Sequence, residues 1–401
     1  MLRDPGVHIV VCCGSGGVGK TTTAAALAVR AAEQGRRVAV LTIDPARRLA
    51  QSLGLTELDD SPRLVTGLDT AAGGSLEAMM LDMKRTFDEV VQAHATPEKA
   101  AQILANPFYE ALSSSFAGTQ EYMAMEKLGQ LRERRGPDGG SRWDLVVVDT
   151  PPSRSALDFL DAPSRLGSFL DGRFIRLLVA PAKAGGRAYT KVMGAGISLA
   201  SGVLSKILGA SMLEDVRGLV AALDTMFGGF RERADHTYSL LRQPETAFVV
   251  VAAPERDALR EAGYFIDRLD ADGMPLAGVV VNRMARSRTD RITADAASRG
   301  AEALRAQVGT SAGGTSTPAS DAAAPTARAA TTTTAAVIAT DLLEVHALAA
   351  GEARRHETLT REFAARHTGI PLVRVPVAAT DVHDLEGLRT IGAALAGTPR
   401  V

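Results

Sequence analysis

The chain has 401 residues, 45 Lys+Arg against 46 Asp+Glu, and a formal net charge of −1. That length allows two or three domains, or one large α/β domain with insertions, and needs no covalent staples to build a core. Balanced charge argues against an extended nucleic-acid surface as the main activity. The two cysteines, Cys12 and Cys13, are adjacent, which excludes a disulfide framework and a spaced-thiol zinc site, so no structural zinc is expected.

In chain order, His8–Cys13 reads as a short β-rich strand and Gly14–Gly19 as a glycine-dense loop. On a strand, Cys12 and Cys13 point to opposite faces and behave as two small buried hydrophobes. The apolar run Val7–Cys13 is too short for a secretion signal and ends in glycines, so a cytoplasmic location is expected. Thr21–Gln34 is Ala-rich without a breaker and reads as a helix closed by Gly35, and Arg37–Ile43 as a second strand stopping at Asp44-Pro45. Strand, loop, helix, strand is the βαβ unit of a parallel sheet. The stretch Ser75–Glu133 reads as helical. Buried-type strands follow at Leu145–Val148, Ala247–Ala252, Leu276–Val281 and Leu372–Val375. Continuous apolar runs of this kind, separated by helices, indicate a sheet covered on both faces. Residues 171–243 are expected to form an inserted helical subdomain. Residues 308–334 turn into Ala, Thr, Gly, Ser and Pro and are expected to be a low-complexity disordered insertion, since few large side chains offset the ordering entropy. A helix over about Ala336–His367 resumes the pattern. Residues 1–401 are thus predicted to be a single α/β domain with a mostly parallel, doubly wound sheet.

Gly14-Ser15-Gly16-Gly17-Val18-Gly19-Lys20-Thr21 fits the P-loop pattern G-x-x-x-x-G-K-[ST]. Glycines let successive backbone N–H groups curl around phosphate oxygens, and the helix beginning at Lys20-Thr21 aims its positive end at the same anion. Gly16, Gly17, Val18, Gly19, Lys20, Thr21 and Thr22 are therefore the expected nucleotide-binding residues. Lys20 reaches the β/γ-phosphates, and the Thr21 hydroxyl is a Mg²⁺ ligand. The apolar strand before Asp149 makes that carboxylate the second expected Mg²⁺ residue. Asp44 has two readings on its residues alone: a helix N-cap before Pro45, or a group that activates water.

These motifs resemble the arsenite-pump ATPase (ArsA) family, which includes the ATPases that deliver tail-anchored membrane proteins. The resemblance rests on Gly14–Thr22, on Asp44-Pro45-Ala46 as a first switch, and on Asp149-Thr150-Pro151-Pro152-Ser153 as a second. Asn106-Pro107-Phe108-Tyr109, Gly118-Thr119-Gln120-Glu121, Val279–Asn282 and Val375-Pro376-Val377 support it. It implies that Asp44 positions or activates the attacking water, that Asp149 serves Mg²⁺, that Asn282 binds the adenine edge, and that the backbone near Pro376 lines the base pocket. Asn282 alone is also an ordinary strand-end turn residue. No N-K-x-D pattern favours guanine, so ATP is the expected nucleotide. The chain departs from the family in its cysteines, which are neither separated as in the arsenite pumps nor a CxxC, and in Ser15, where the family's P-loop normally has lysine. One P-loop per chain implies a dimer, either a homodimer or a heterodimer with a paralogous ATPase bearing the lysine.

Met193–Leu213 contains Lys206 as its one charged residue, but its glycines, serines and central lysine argue against a membrane span. Val216, Leu219, Leu223, Met226 and Phe230 recur at helical spacing, fitting either the subdomain's own core or a groove for a hydrophobic client. The expected function is Mg-ATP hydrolysis that drives dimer closure and capture of a hydrophobic or membrane-related partner. A non-catalytic or weakly active ATP-binding subunit is the alternative. A MinD/ParA-type organiser would need an amphipathic tail or basic patch, neither of which appears at Gly397–Val401.

Overall fold

The computed structural model describes residues 1–43, 47–106, 109–110, 119–151, 235–289, 291–312 and 323–397. The apolar runs become strands β1 (Ile9–Cys13), β2 (Arg37–Thr42), β3 (Arg63–Leu64), β4 (Ser75–Met80), β5 (Leu145–Asp149), β6 (Thr246–Ala252), β7 (Leu276–Met284) and β8 (Leu372–Pro376). They form an eight-stranded sheet in the order β3-β4-β2-β5-β1-β6-β7-β8. Every pairing is parallel except the short antiparallel β3–β4 edge. β1 lies between β5 and β6, and the chain winds outward from it in both directions. That places a crevice at the carboxyl end of β1, where open α/β sheets bind ligands.

Helices cover both faces. On one lie α1 (Lys20–Glu33), α2 (Arg47–Ser52) and, late in the chain, α9 (Leu385–Ala396). On the other lie α3 (Met83–His94), α4 (Pro97–Leu104), α5 (Thr119–Glu133) and α6 (Arg256–Ala271). The period-2 rule sorts β1 cleanly: Ile9, Val11 and Cys13 join the second core, Val10 and Cys12 the first. Both cysteines are free and buried, and burial pushes the Cys13 thiol up to about 12. The alanines of α1 let it lie between sheet and α9, where Gly392 of α9 approaches so closely that a Cβ there would meet the Ala26 carbonyl at 3.3 Å.

Two expectations are corrected. Ser75–Met80 is a strand, not the start of a helix; its residues favour helix locally, but pairing with β2 buries Leu76, Ala78 and Met79 on the sheet. The helical reading holds from Met83 onward. Helix also enters the segment 308–334 from both sides: α7 (Ala294–Ala312) runs past its start, and α8 (Ala323–Arg366) begins well before Ala336. The physical reason is that Ala is the best helix former, Pro325 sits in the first turn where proline is tolerated, and no glycine or proline follows until Gly351. Residues 313–322 and 152–234, the latter holding most of the subdomain expected at 171–243, lie outside the described residues.

α7 and α8 pack as a helical hairpin, with Arg305 paired to Glu344 and His346 Nε2 2.8 Å from the Ile292 carbonyl oxygen. The two ends of α8 differ. Toward its C-terminus His356, Thr360 and Phe363 are buried. Nearer its start Val337, Ile338, Leu342, Val345 and Leu348 are exposed, Leu348 by 75%. Thr334–Arg366 is, among the described residues, the one helical stretch long and apolar enough to cross a membrane by length and composition. Toward its C-terminus, His356, Thr360 and Phe363 face the body of the fold, where α8 meets β7 and α6.

Candidate active site

The loop after β1 is built from backbone that only glycine supplies cheaply. Gly17 and Gly19 have φ of 77° and 96°. A Cβ on Gly14 would lie 2.0 Å from the Val251 carbonyl oxygen, and one on Gly19 would lie 2.2 Å from Asn282 Nδ2. Gly19 is also the N-cap of α1, has no side chain to cap it, and is followed by a first turn without acidic residues. The helix therefore offers its first N–H groups to an anion.

Lys20 is buried and its Nζ donates to the Ser15 carbonyl oxygen at 2.8 Å, which folds the side chain back over the loop. The Thr21 hydroxyl donates to Asp149 Oδ2 at 2.7 Å, and Thr42 at the end of β2 donates to the same oxygen at 3.1 Å. Asp149 is 1% exposed, and its Oδ1 atom is buried without a hydrogen bond. The Asp149 backbone carbonyl accepts from Ile43 N–H at 3.1 Å, so the chain entering Asp44 starts beside Asp149. Asp44 itself lies outside the described residues, as do Pro45, Ala46 and Ser153.

The crevice is a cavity of about 720 Å³, within the range of small-molecule sites. Its lining includes Gly17, Gly19, Lys20, Thr21 and Thr22 of the P-loop and α1, together with Asn282, Arg283, Pro376, Asp381 and His383 from the strand ends and the chain after β8. Of the residues expected from the sequence, the sheet brings Gly17, Gly19, Lys20, Thr21, Thr22, Asn282 and Pro376 to one cavity. Gly16 and Val18 belong to the loop, with Val18 buried and its carbonyl accepting from Asn282 Nδ2 at 2.9 Å. Asn282 is therefore not a free turn residue: it braces the P-loop and leaves its Oδ1 atom for other work. Reasoning from sequence missed Thr42, Arg283, Asp381 and His383. Thr42 was detectable as a hydroxyl two residues before Asp44; Arg283 carried no signal, since its place depends on a bulge.

The residues fit a nucleotide and its metal. The loop packs against β6 and Asn282 too closely for a Cβ at Gly14 or Gly19, which keeps its backbone N–H groups available to phosphate. A hard cation suits Thr21 Oγ1 with the orphaned carboxylate oxygen of Asp149. Fold and loop together define a P-loop nucleotide-binding protein of the doubly wound α/β class. Residues 7–299 match the family model of the anion-transporting ATPases, ArsA. The chain belongs to that family. It is 26% identical over 289 residues to ATPase GET3 of Malassezia globosa, covering 71% of this chain and 75% of that one. It is 28% identical over 282 residues to Protein Rv2184c of Mycobacterium tuberculosis, covering 68% of this chain and 57% of that protein. With the ATPase ASNA1 homolog of Cryptosporidium parvum it shares 25% over 276 residues, covering 68% and 63%.

Proposed function

We propose that this chain is a Mg-ATP-hydrolysing ATPase of the ArsA type, which closes as a dimer on ATP and couples closure to a hydrophobic or membrane-related partner. The observation that carries the reading is the Thr21–Asp149–Thr42 cluster, whose Thr21 lines the P-loop cavity. Lys20 leaves the Ser15 carbonyl to bind the β/γ-phosphates, and the N-terminus of α1 receives the same charge. Thr21 and Asp149 hold Mg²⁺, which neutralises charge on the phosphates. Asp44 orients the attacking water. Asn282 and the backbone near Pro376 hold adenine.

The partner reading draws on the family and on the exposed apolar face of α8, Val337 to Leu348; the surface predicted at 193–230 lies outside the described residues. Two buried, reduced thiols suit the cytoplasm.

One observation favours a second reading, a weakly active subunit that depends on a lysine-bearing paralogue. The Ser15 hydroxyl is buried without a hydrogen bond and carries no cation toward a neighbouring subunit. A cation supplied in trans can be worth on the order of 10³–10⁵ in rate. Phosphate release by the purified chain, wild type and Ser15→Lys, separates the two. Slow wild-type turnover raised by Ser15→Lys supports the dependent subunit; brisk wild-type turnover that Ser15→Lys leaves unchanged supports the self-sufficient enzyme. No nucleotide hydrolysis or binding at all would overturn both.

A further inference from the structure

The base end of the cavity is held by an irregular strand. β7 and β8 slip register between Val281 and Met284, and within that bulge Arg283 has φ 58°. A long side chain rarely adopts this backbone, and it persists only where surrounding contacts over-determine it. The contacts come from three directions. Asn282 Nδ2 donates to the P-loop at Val18, as above. From the β8 side, Val377 N–H donates to the Met284 carbonyl at 3.0 Å. From α8, His356 Nδ1 accepts from Ala285 N–H at 3.0 Å, and the Thr360 hydroxyl lies 3.5 Å from Met284 Sδ.

His356 is buried, and its other ring nitrogen sits 2.7 Å from Glu352 Oε1. With Nδ1 accepting, the ring proton belongs on Nε2 and is donated to Glu352. Both ring nitrogens are therefore used, and the ring is fixed between α8 and the strand end. Neither Lys20 nor Asp149 needs this contact, and His356 lies beyond the 7–299 segment that matches the family.

We propose that His356 is a positioning residue of the nucleotide site: it clamps the β7 bulge so that Asn282 braces the P-loop and Arg283 forms the base-side wall. Base recognition then depends on α8 through both Asn282 and Arg283, whereas the direct phosphate contacts come from the P-loop and feel α8 only through the Asn282 brace. The inference rests on the reading of the cavity as an ATP site.

The experiment compares binding of ATP and of inorganic tripolyphosphate to the full chain, alongside melting temperature. His356→Leu leaves Ala285 N–H without an acceptor and is expected to weaken ATP on the order of tenfold, the scale of one buried hydrogen bond, with a much smaller loss for tripolyphosphate. His356→Gln, which can accept from Ala285 again, is expected to recover most of that loss. Arg283→Ala, at an exposed position, is expected to shift the same ratio without lowering the melting temperature. Folded His356→Leu that loses ATP and tripolyphosphate affinity equally, or neither, overturns the clamp. Should His356→Leu not fold, Arg283→Ala decides: an unchanged ATP-to-tripolyphosphate ratio overturns it. Wild-type protein that binds tripolyphosphate and not ATP overturns the ATP reading first, and the clamp with it.

Discussion

α1 and α8 are both alanine-rich helices in one chain, yet they are stabilised differently. α1 is buried along nearly its whole length between the sheet and α9, and its N-terminus is fixed by glycine backbone that tolerates no Cβ at Gly19. α8 is anchored at one end by His356, Thr360 and Phe363, while at the other Ile338, Leu342, Val345 and Leu348 face outward. The first arrangement suits a site where phosphate must find preformed N–H groups. The second leaves an apolar surface beyond the segment matched by the family. The contrast separates the phosphate edge, inside the segment that matches the family model, from a helix that lies beyond it.

Substitutions can break that contrast at either helix. The largest effect is expected at Lys20: Lys20→Ala should lower ATP turnover at least about a hundredfold, the scale of removing one charge-stabilising donor, with an unchanged circular-dichroism melt. Next is the anchored half of α8, where Phe363→Ala should cost about 3–5 kcal/mol in denaturant unfolding. Gly19→Ala adds a side chain at φ 96° against Asn282. It should cost about 1–3 kcal/mol and weaken ATP binding as well. Leu348→Ala on the exposed half should stay within about 0.5 kcal/mol of wild type; a cost near that of Phe363→Ala would show that this face is covered. The smallest signal is an absence of reaction: native Cys12 and Cys13 should resist maleimide until the protein unfolds, because burial keeps both thiols protonated.

The phosphate half of the site was legible because its chemistry is local. A glycine run, a lysine and a hydroxyl at fixed spacing, placed between a strand and a helix, can hardly do anything else. Asp149 was legible for a related reason, as the carboxylate ending an apolar strand. The half proposed to hold the base was less so. Asn282 could be pointed to only through resemblance, and its bond to Val18 spans 264 residues of sequence. Arg283 and His356 were invisible, because one owes its place to a register slip and the other to a helix packing beside it. The two misread elements fail in opposite ways. Ser75–Met80 became a strand because pairing with β2 overrode its local helix preference. The first turns of α8 became helix because the local preference of alanine prevailed in a composition that promised no core.

The central claim is that the crevice beyond β1 is a Mg-ATP site acting through Lys20 and Asp149. Its most direct test is phosphate release from ATP by the full chain, with and without Mg²⁺, for wild type, Lys20→Ala and Asp149→Asn. The account predicts saturable release by wild type that requires Mg²⁺ and falls away in both variants while their folds persist. Release that ignores Mg²⁺, or that survives Lys20→Ala at the wild-type rate, would contradict it.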